Sequence, residues 1–218
     1  RFHQEENDLP ENVEILHQDV LKCDFNDLHQ KTDGQKLLIM ANLPYSISNP
    51  FIFKLIENRP LIQSATIMLQ KEVADRLVAE PNTKDYGIPT VLLGACANTT
   101  KLMLLKPAEF HPKPKIDSVV VRIDFTKPSL NVPEEDFTLF TKIVRSAFSQ
   151  RRKTILNTLS NGQFFKDLNH DKAALKKITE QCIIDSSISP KARAETLQLH
   201  EFLELTKSFQ SVLSKIDD

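Results

Sequence analysis

The sequence predicts an α/β fold, a mostly parallel sheet followed by a small all-α part, and three observations carry that expectation. Strand-like and helix-like patterns alternate between residues 12 and 125, as in parallel strands joined by helical crossovers. The apolar run Leu37-Leu38-Ile39-Met40 reads as a strand buried on both faces. Beyond residue 133 the apolar spacing becomes helical throughout. The expected division is a sheet domain over residues 1–126, a linker at 127–133 and a helical domain over 134–218.

Residues 12–21 open with polar and apolar alternation and then meet an acid, so they read as a short strand with Asp19 at its exit. A second strand, 37–41, runs into Ala41-Asn42-Leu43-Pro44-Tyr45-Ser46-Ile47-Ser48. Ser48-Asn49-Pro50 supplies a cap and a first-turn proline for a helix that buries Phe51, Ile52, Leu55 and Ile56. Residues 64–69 give a third strand, and 71–80 a helix with Val73, Leu77 and Val78 inward. Tyr86-Gly87-Ile88-Pro89 is a turn, and the apolar segment 90–97 fits helix and strand equally. Residues 102–105 and 118–125 are strands, the latter with Val119, Val121, Ile123 and Phe125 on one face. A stiff, cationic loop joins them, Lys106-Pro107-Ala108-Glu109-Phe110-His111-Pro112-Lys113-Pro114-Lys115. In the helical part, Phe137, Phe140, Ile143, Val144, Ala147 and Phe148 form one stripe, and Phe202, Leu205, Phe209 and Val212 another.

Composition excludes several classes. With 40% hydrophobic and 26% charged residues there is core enough and no disorder signature. A formal net charge of -1 gives no overall basic signal, so any nucleic-acid footprint is a local patch. Cys23, Cys96 and Cys182 are an odd number set far apart, matching neither a zinc site nor a disulfide framework; a reducing, cytoplasmic setting is expected. No apolar run approaches the length of a membrane span. Four glycines, none in a Gly-rich phosphate or cofactor loop, and a polar start at Arg1 without Met point to a piece of a longer chain.

The chemistry concentrates after the second strand. In open α/β sheets ligands bind at the carboxyl ends of strands, and there stand an Asn, a rigid proline turn and a Tyr. An exocyclic purine amine is a poor nucleophile because its lone pair is delocalised into the ring. The Asn42 amide carbonyl and the backbone carbonyl of Leu43, ahead of Pro44, offer two acceptors for its hydrogens, which aims the lone pair at an electrophile. Tyr45 offers a stacking face for a base held out of its helix. A sulfonium methyl needs no nearby general base, so positioning does most of the work. The same string is equally a strand followed by a proline turn. Phe110 offers a second aromatic face or a core side chain, and Asp19 an acceptor for an adenine amino group or a solvated strand end. Ser149-Gln150-Arg151-Arg152-Lys153, with Arg145 upstream, joins Lys113 and Lys115 as a phosphate track or forms a solvated face.

Seven segments in order resemble the ribosomal RNA adenine dimethyltransferase family, whose bacterial members dimethylate two adjacent adenines in the 3′-terminal hairpin of small-subunit rRNA. They are Gln18-Asp19-Val20-Leu21, Asn42-Leu43-Pro44-Tyr45-Ser46-Ile47-Ser48, Met68-Leu69-Gln70-Lys71-Glu72-Val73-Ala74-Asp75-Arg76-Leu77, Tyr86-Gly87, Phe110-His111-Pro112-Lys113-Pro114-Lys115-Ile116-Asp117-Ser118, Ala147-Phe148-Ser149-Gln150-Arg151-Arg152-Lys153-Thr154 and Arg193-Ala194-Glu195-Thr196-Leu197. The resemblance implies a Rossmann-like class I methyltransferase domain, incomplete at its N-terminus, with a helical C-terminal domain. It implies S-adenosylmethionine as donor, no metal, and a monomer acting on the assembling small ribosomal subunit. Asn42, Leu43, Pro44, Tyr45 and Phe110 become the target site, Asp19, Val20 and Asn42 cofactor contacts, and Lys113, Lys115, Arg145, Arg151, Arg152 and Lys153 RNA contacts. Family members carry a Gly-rich loop and a ribose-binding acid before the point where this chain starts, so the 218 residues alone are expected to bind the donor poorly and turn over little.

Two rivals remain open on the sequence. One is the related resistance methyltransferase acting on large-subunit rRNA, against which Leu43 and the Arg193-Ala194-Glu195-Thr196-Leu197 segment speak. The other is a ribosome-assembly factor that keeps the scaffold without catalysis, which the presence of Asn42 and Tyr45 disfavours.

Overall fold

The structure, a computed structural model, describes residues 10–162 and 171–216. The expected helical domain therefore includes 163–170 and 217–218, which lie outside the described residues, as does Arg1. In chain order the elements are α1 (Phe25–Lys31), β1 (Leu37–Asn42), α2 (Ser48–Glu57), β2 (Ile62–Gln70), α3 (Lys71–Leu77), α4 (Ile88–Cys96), β3 (Asn98–Leu105), β4 (Ser118–Asp124), α5 (Glu134–Ala147), α6 (Ile155–Leu159), α7 (Lys172–Asp185) and α8 (Leu199–Ile216). The ambiguous segment 90–97 is thus mostly helix, and the helix expected over 71–80 stops at Leu77.

The described sheet has the order β1-β2-β4-β3. Only β1 and β2 pair in parallel; β4 is antiparallel to both neighbours, which corrects the expectation of a mostly parallel sheet. The reason is the connection. Helices carry the chain from β2 to β3, but residues 106–117 lack a crossover helix, so the chain turns back and β4 slots between β2 and β3 in the opposite sense. In consequence the carboxyl ends of β1, β2 and β3 and the amino end of β4 share one end of the sheet.

Two further expectations fail at the front. β1 is packed on one face rather than two: exposure alternates along it, and Leu38 and Met40 stand 68% and 86% exposed. Residues 12–21 form no strand, because a strand needs a partner ladder, and the backbone bonds here are local turns, from Val13 to Pro10, Gln18 to Leu16, and Lys22 and Cys23 to Asp19. Ser48 does not cap α2 either. Helix α2 starts at Ser48 itself, whose buried hydroxyl has no hydrogen-bond partner.

One apolar core runs from the sheet into the helical part, with Ile67, Val121, Leu92, Phe140, Phe202 and Phe209 all buried within it. The segment 127–133 is fastened along α4 by backbone bonds from Ser129, Leu130 and Val132 to Ala97 (3.3 Å), Gly94 (2.9 Å) and Ala95 (3.3 Å). A Cβ on Gly94 would lie 2.8 Å from Leu199 Cδ2, so a larger residue there would make the Leu199 side chain shift. Tyr86 packs edge-on to Phe148 with centroids 6.0 Å apart, Phe148 stacks on Phe202 at 5.9 Å, and the Tyr86 hydroxyl donates to the Leu197 carbonyl at 2.9 Å. Burial pushes that hydroxyl far above its ordinary pKa, so it stays a donor.

Replacing Tyr86→Phe leaves the buried Leu197 carbonyl unpartnered and is expected to cost about 1–3 kcal/mol, read from the midpoint of urea unfolding. Asp75 on α3 gives the pH dependence. Burial raises its pKa, but hydrogen bonds from Lys101 and from Lys71 (2.5 Å) outweigh that and hold the carboxyl below its ordinary value of 3.8. A depressed carboxyl contributes stability that is present above its unfolded pKa and lost as pH falls through the folded one. The advantage of wild type over Asp75→Asn in thermal midpoint should therefore be full near about pH 6 and shrink below about pH 4.

Candidate active site

The end of β1 sets the site. Asn42 occupies the last rung, opposite Met68 of β2, and Leu43 turns inward and is buried. Pro44, extended at φ -55° and ψ 132°, then reverses the chain into a 3₁₀ turn, Tyr45–Ile47, closed by the Ile47 N–H on the Pro44 carbonyl at 3.1 Å. Asn42 and Pro44 are exposed and Tyr45 is half-buried. The far end of the Tyr45 ring is pinned, its hydroxyl 2.8 Å from Ser118 Oγ at the start of β4.

The loop bearing Phe110 arrives at the same place. Leu105 pairs with Ser118, so the loop leaves and re-enters the sheet on one rung, and an ion pair from Lys106 to Asp117 (2.8 Å) closes its base. A 3₁₀ turn at Pro107–Glu109 presents Phe110, half-buried, whose N–H donates to the Pro107 carbonyl at 3.3 Å. The His111–Pro112 bond within this loop is cis. Two aromatic side chains, an exposed amide and the strand-end carbonyls are thus gathered at one end of the sheet.

Asp19 lies in a turn rather than at a strand exit. Its Oδ1 accepts the Leu21 N–H at 2.9 Å, and Lys54 of α2 holds the Leu21 carbonyl at 3.1 Å, so the turn is tied to the helix that follows the target loop. The exposed Asp19 carboxylate stands beside the half-buried Val20. Among the described residues no group of three or more His, Cys, Asp or Glu is clustered to hold a metal ion.

The cations separate into two groups. Lys113 and Lys115 are exposed on the Phe110 loop. The segment 148–153 is a turn between α5 and α6, and among the described residues no hydrogen bond or ion pair links it to that loop. Within it, Arg152 and Lys153 are exposed, but Arg151 is engaged by the Glu195 carboxylate at 2.7 Å and by the Thr83 carbonyl at 3.3 Å. The three segments around residues 82–87, 148–153 and 193–197 are therefore one joint, to which Asn82 adds a backbone bond to Glu195 at 2.8 Å. Helices α2 and α5 pass antiparallel. Arg59, after the end of α2, lies 3.4 Å above the Phe137 ring and 2.6 Å from Glu134, both in the first half of α5, whereas Phe53 in the middle of α2 lies 4.9 Å under Arg145 in the last turn of α5. This brings the cationic end of α5 to the middle of α2.

Sequence reasoning missed Ser118, although it closed the quoted Phe110 segment. It also missed a recess of about 500 Å³ between α5 and α6, lined by Lys142, Arg145, Gln150, Asn157 and Asn161, with no carboxylate among the described residues. No single run of residues announces that recess.

Known proteins resemble this chain in sequence and in fold. A family model described as "Ribosomal RNA adenine dimethylase" matches residues 1–209. The chain is 56% identical over 218 residues to the ribosomal RNA small subunit methyltransferase A of Desulfotalea psychrophila, covering all of this chain and 73% of that protein. It is 41% identical over 211 residues to the protein of the same name from Clostridium botulinum, covering 96% of this chain and 72% of the relative. Among solved structures, a dimethyladenosine transferase from Plasmodium falciparum superimposes with a TM-score of 0.71 at 27% identity, over 92% of this chain and 74% of that one. The 23S rRNA methyltransferase ErmE, at 0.55 and 17% identity over 85% of this chain and 77% of its own, shares the fold. The protein thus has a Rossmann-like methyltransferase fold with a helical C-terminal part, and family membership implies S-adenosylmethionine as its methyl donor. By both the match along 1–209 and the identity to these relatives, the chain belongs to the ribosomal RNA adenine dimethylase family.

Proposed function

We propose that this protein dimethylates the N6 amino groups of two adjacent adenines in the 3′-terminal hairpin of small-subunit (16S) rRNA, as a monomer acting on the assembling small subunit. The relatives named as small-subunit methyltransferases support the choice of RNA. The observation that carries the chemistry is the placement of Asn42, the Leu43 carbonyl and a Tyr45 ring with a fixed hydroxyl at the carboxyl end of β1.

Bound S-adenosylmethionine supplies a sulfonium methyl, electrophilic enough that no base is needed beside the amine. The Asn42 side-chain carbonyl and the Leu43 backbone carbonyl hold the two N6 hydrogens and turn the nitrogen lone pair toward the methyl. The lone pair so oriented would accept the methyl group, and the extra proton on nitrogen would be lost to solvent. After one transfer a single N6 hydrogen remains, so one acceptor is enough to orient the second. Tyr45 and Phe110 hold the base out of its helix between aromatic faces. Asp19 and Val20 would hold the donor's adenine, and Asn42 would contact the donor as well as the target amine.

The helical unit, residues 134–218, carries RNA contacts through Arg145, Arg152 and Lys153, with Lys113 and Lys115 contributing from the Phe110 loop. Arg151 belongs to the same turn, but its bond to Glu195 makes it first a part of the joint.

Primer extension on both rRNAs after incubation with enzyme and donor tests the assignment: stops at adjacent adenines near the small-subunit 3′ end are expected, and stops confined to large-subunit rRNA would overturn it. Asn42→Ala should lower incorporation from labelled donor by about a hundredfold with RNA binding unchanged; equal incorporation would remove Asn42 from the mechanism. Replacing Arg152→Ala together with Lys153→Ala should reduce the slope of log affinity against log salt by up to about 0.7–0.9 for each phosphate that the pair neutralises. Arg151→Ala should lower stability by no more than about 1 kcal/mol, and Glu195→Ala should reproduce that loss in unfolding curves.

A further inference from the structure

We propose that Ser118 is a positioning residue for methyl transfer, acting as the fixed anchor that sets the direction of the Tyr45 ring axis. The inference rests on the reading of Tyr45 as a face for the target base.

Ser118 is fully buried, 0% exposed, and its hydroxyl lies 2.8 Å from that of Tyr45, 73 residues away in sequence. A buried hydroxyl at this place calls for a partner, and Tyr45 is the one it has. Its backbone is unusually constrained. Ser118 is paired with Gln70 of β2 on one side and with Leu105 of β3 on the other. The preceding residue, Asp117, is held twice, by the Lys106 ammonium at 2.8 Å and by the Lys71 N–H on its carbonyl at 3.0 Å. The anchor is therefore built on the interior of the sheet rather than on a loop.

Tyr45 is the opposite case. It sits half-buried in a 3₁₀ turn between an exposed proline and α2. A tyrosine ring has two soft torsions, and a turn residue with one exposed side does not fix them by packing alone. The phenol oxygen lies on the χ2 axis, so fastening it to a rigid point fixes χ1 and the direction of the ring axis, and the preference of a phenol O–H for the plane of its ring biases χ2. A base stacked on the ring then inherits an orientation set by the sheet, the same body that fixes Asn42 on the last rung of β1. Acceptors and stacking face are thereby held in one frame, and displacement of one by about an ångström is enough to cost about a hundredfold in rate.

The phenol oxygen has no second duty in this scheme. A double-mutant cycle on the full-length enzyme isolates the pair, with methyl transfer to RNA measured at saturating donor alongside thermal unfolding. Tyr45→Phe keeps the ring and removes the bond, Ser118→Ala removes the anchor, and Ser118→Thr restores a hydroxyl. Expected are falls in kcat of about ten- to a hundredfold for Tyr45→Phe and Ser118→Ala, little change in KM for RNA, recovery by Ser118→Thr, and a double variant no worse than either single one. Tyr45→Phe leaves Ser118 in place, so its kcat decides the matter if Ser118→Ala fails to fold. Wild-type kcat in Tyr45→Phe, or losses that multiply in the double variant, would overturn the anchor. Tyr45→Ala separates this from the reading beneath it: full activity there removes Tyr45 from the site, whereas a large loss beside unchanged Tyr45→Phe keeps the stacking face and rejects only the anchor.

Discussion

The insertion of β4 between β2 and β3 is the constraint on which the rest of this structure depends. Because β4 returns antiparallel, the loop 106–117 must begin and end at one rung, Leu105 opposite Ser118, and at the end of the sheet where β1 and β2 also finish. A helical crossover would have delivered the start of the next strand to the other end. The reversal therefore does two things at once. It carries Phe110 to the target loop, and it presents Ser118 from the middle of the sheet to the Tyr45 hydroxyl.

The same loop shows how a Pro-rich segment is made a defined surface. Its prolines restrict the backbone, the Lys106–Asp117 ion pair closes its neck, and Lys71 grips the Asp117 carbonyl from the start of α3. Lys71 and Asp75 in turn connect α3 to β3 through Lys101. The exposed pairs contribute little singly, but they bridge elements that meet at the site end, so they restrict how far the two loops shift against each other.

Much of this was legible in the sequence where the signal is local. The strand-end placement of Asn42-Leu43-Pro44-Tyr45, the two helical stripes and the inward face of β4 all follow from periodicity and proline, and they stand in the structure as expected. What failed was non-local. Alternation in residues 12–21 shows that a strand is possible, not that a partner edge lies beside it. The apolar run of β1 does not state how many faces are covered, as exposed Met40 demonstrates. The Tyr45–Ser118 bond joins residues far apart in sequence. A run of cations, likewise, does not reveal that Arg151 has an acid waiting on another segment.

The net charge of -1 concealed how the charge is arranged. Helix α5 opens with Glu134, Glu135 and Asp136 and ends with Arg145, followed by the cations of the next turn. Acids at the amino end and bases at the carboxyl end both suit the helix dipole, so this segregation is favourable within α5 itself. Over residues 134–153 the three acids stand at the start of the helix and the five cations in its second half and the following turn. Because α2 and α5 pass antiparallel, the acidic end meets Arg59 after the end of α2, and the cationic end is set beside Phe53 and the recess with no carboxylate among the described residues that line it. A helix satisfying its own dipole thereby separates acids from bases in a chain with no overall basic character.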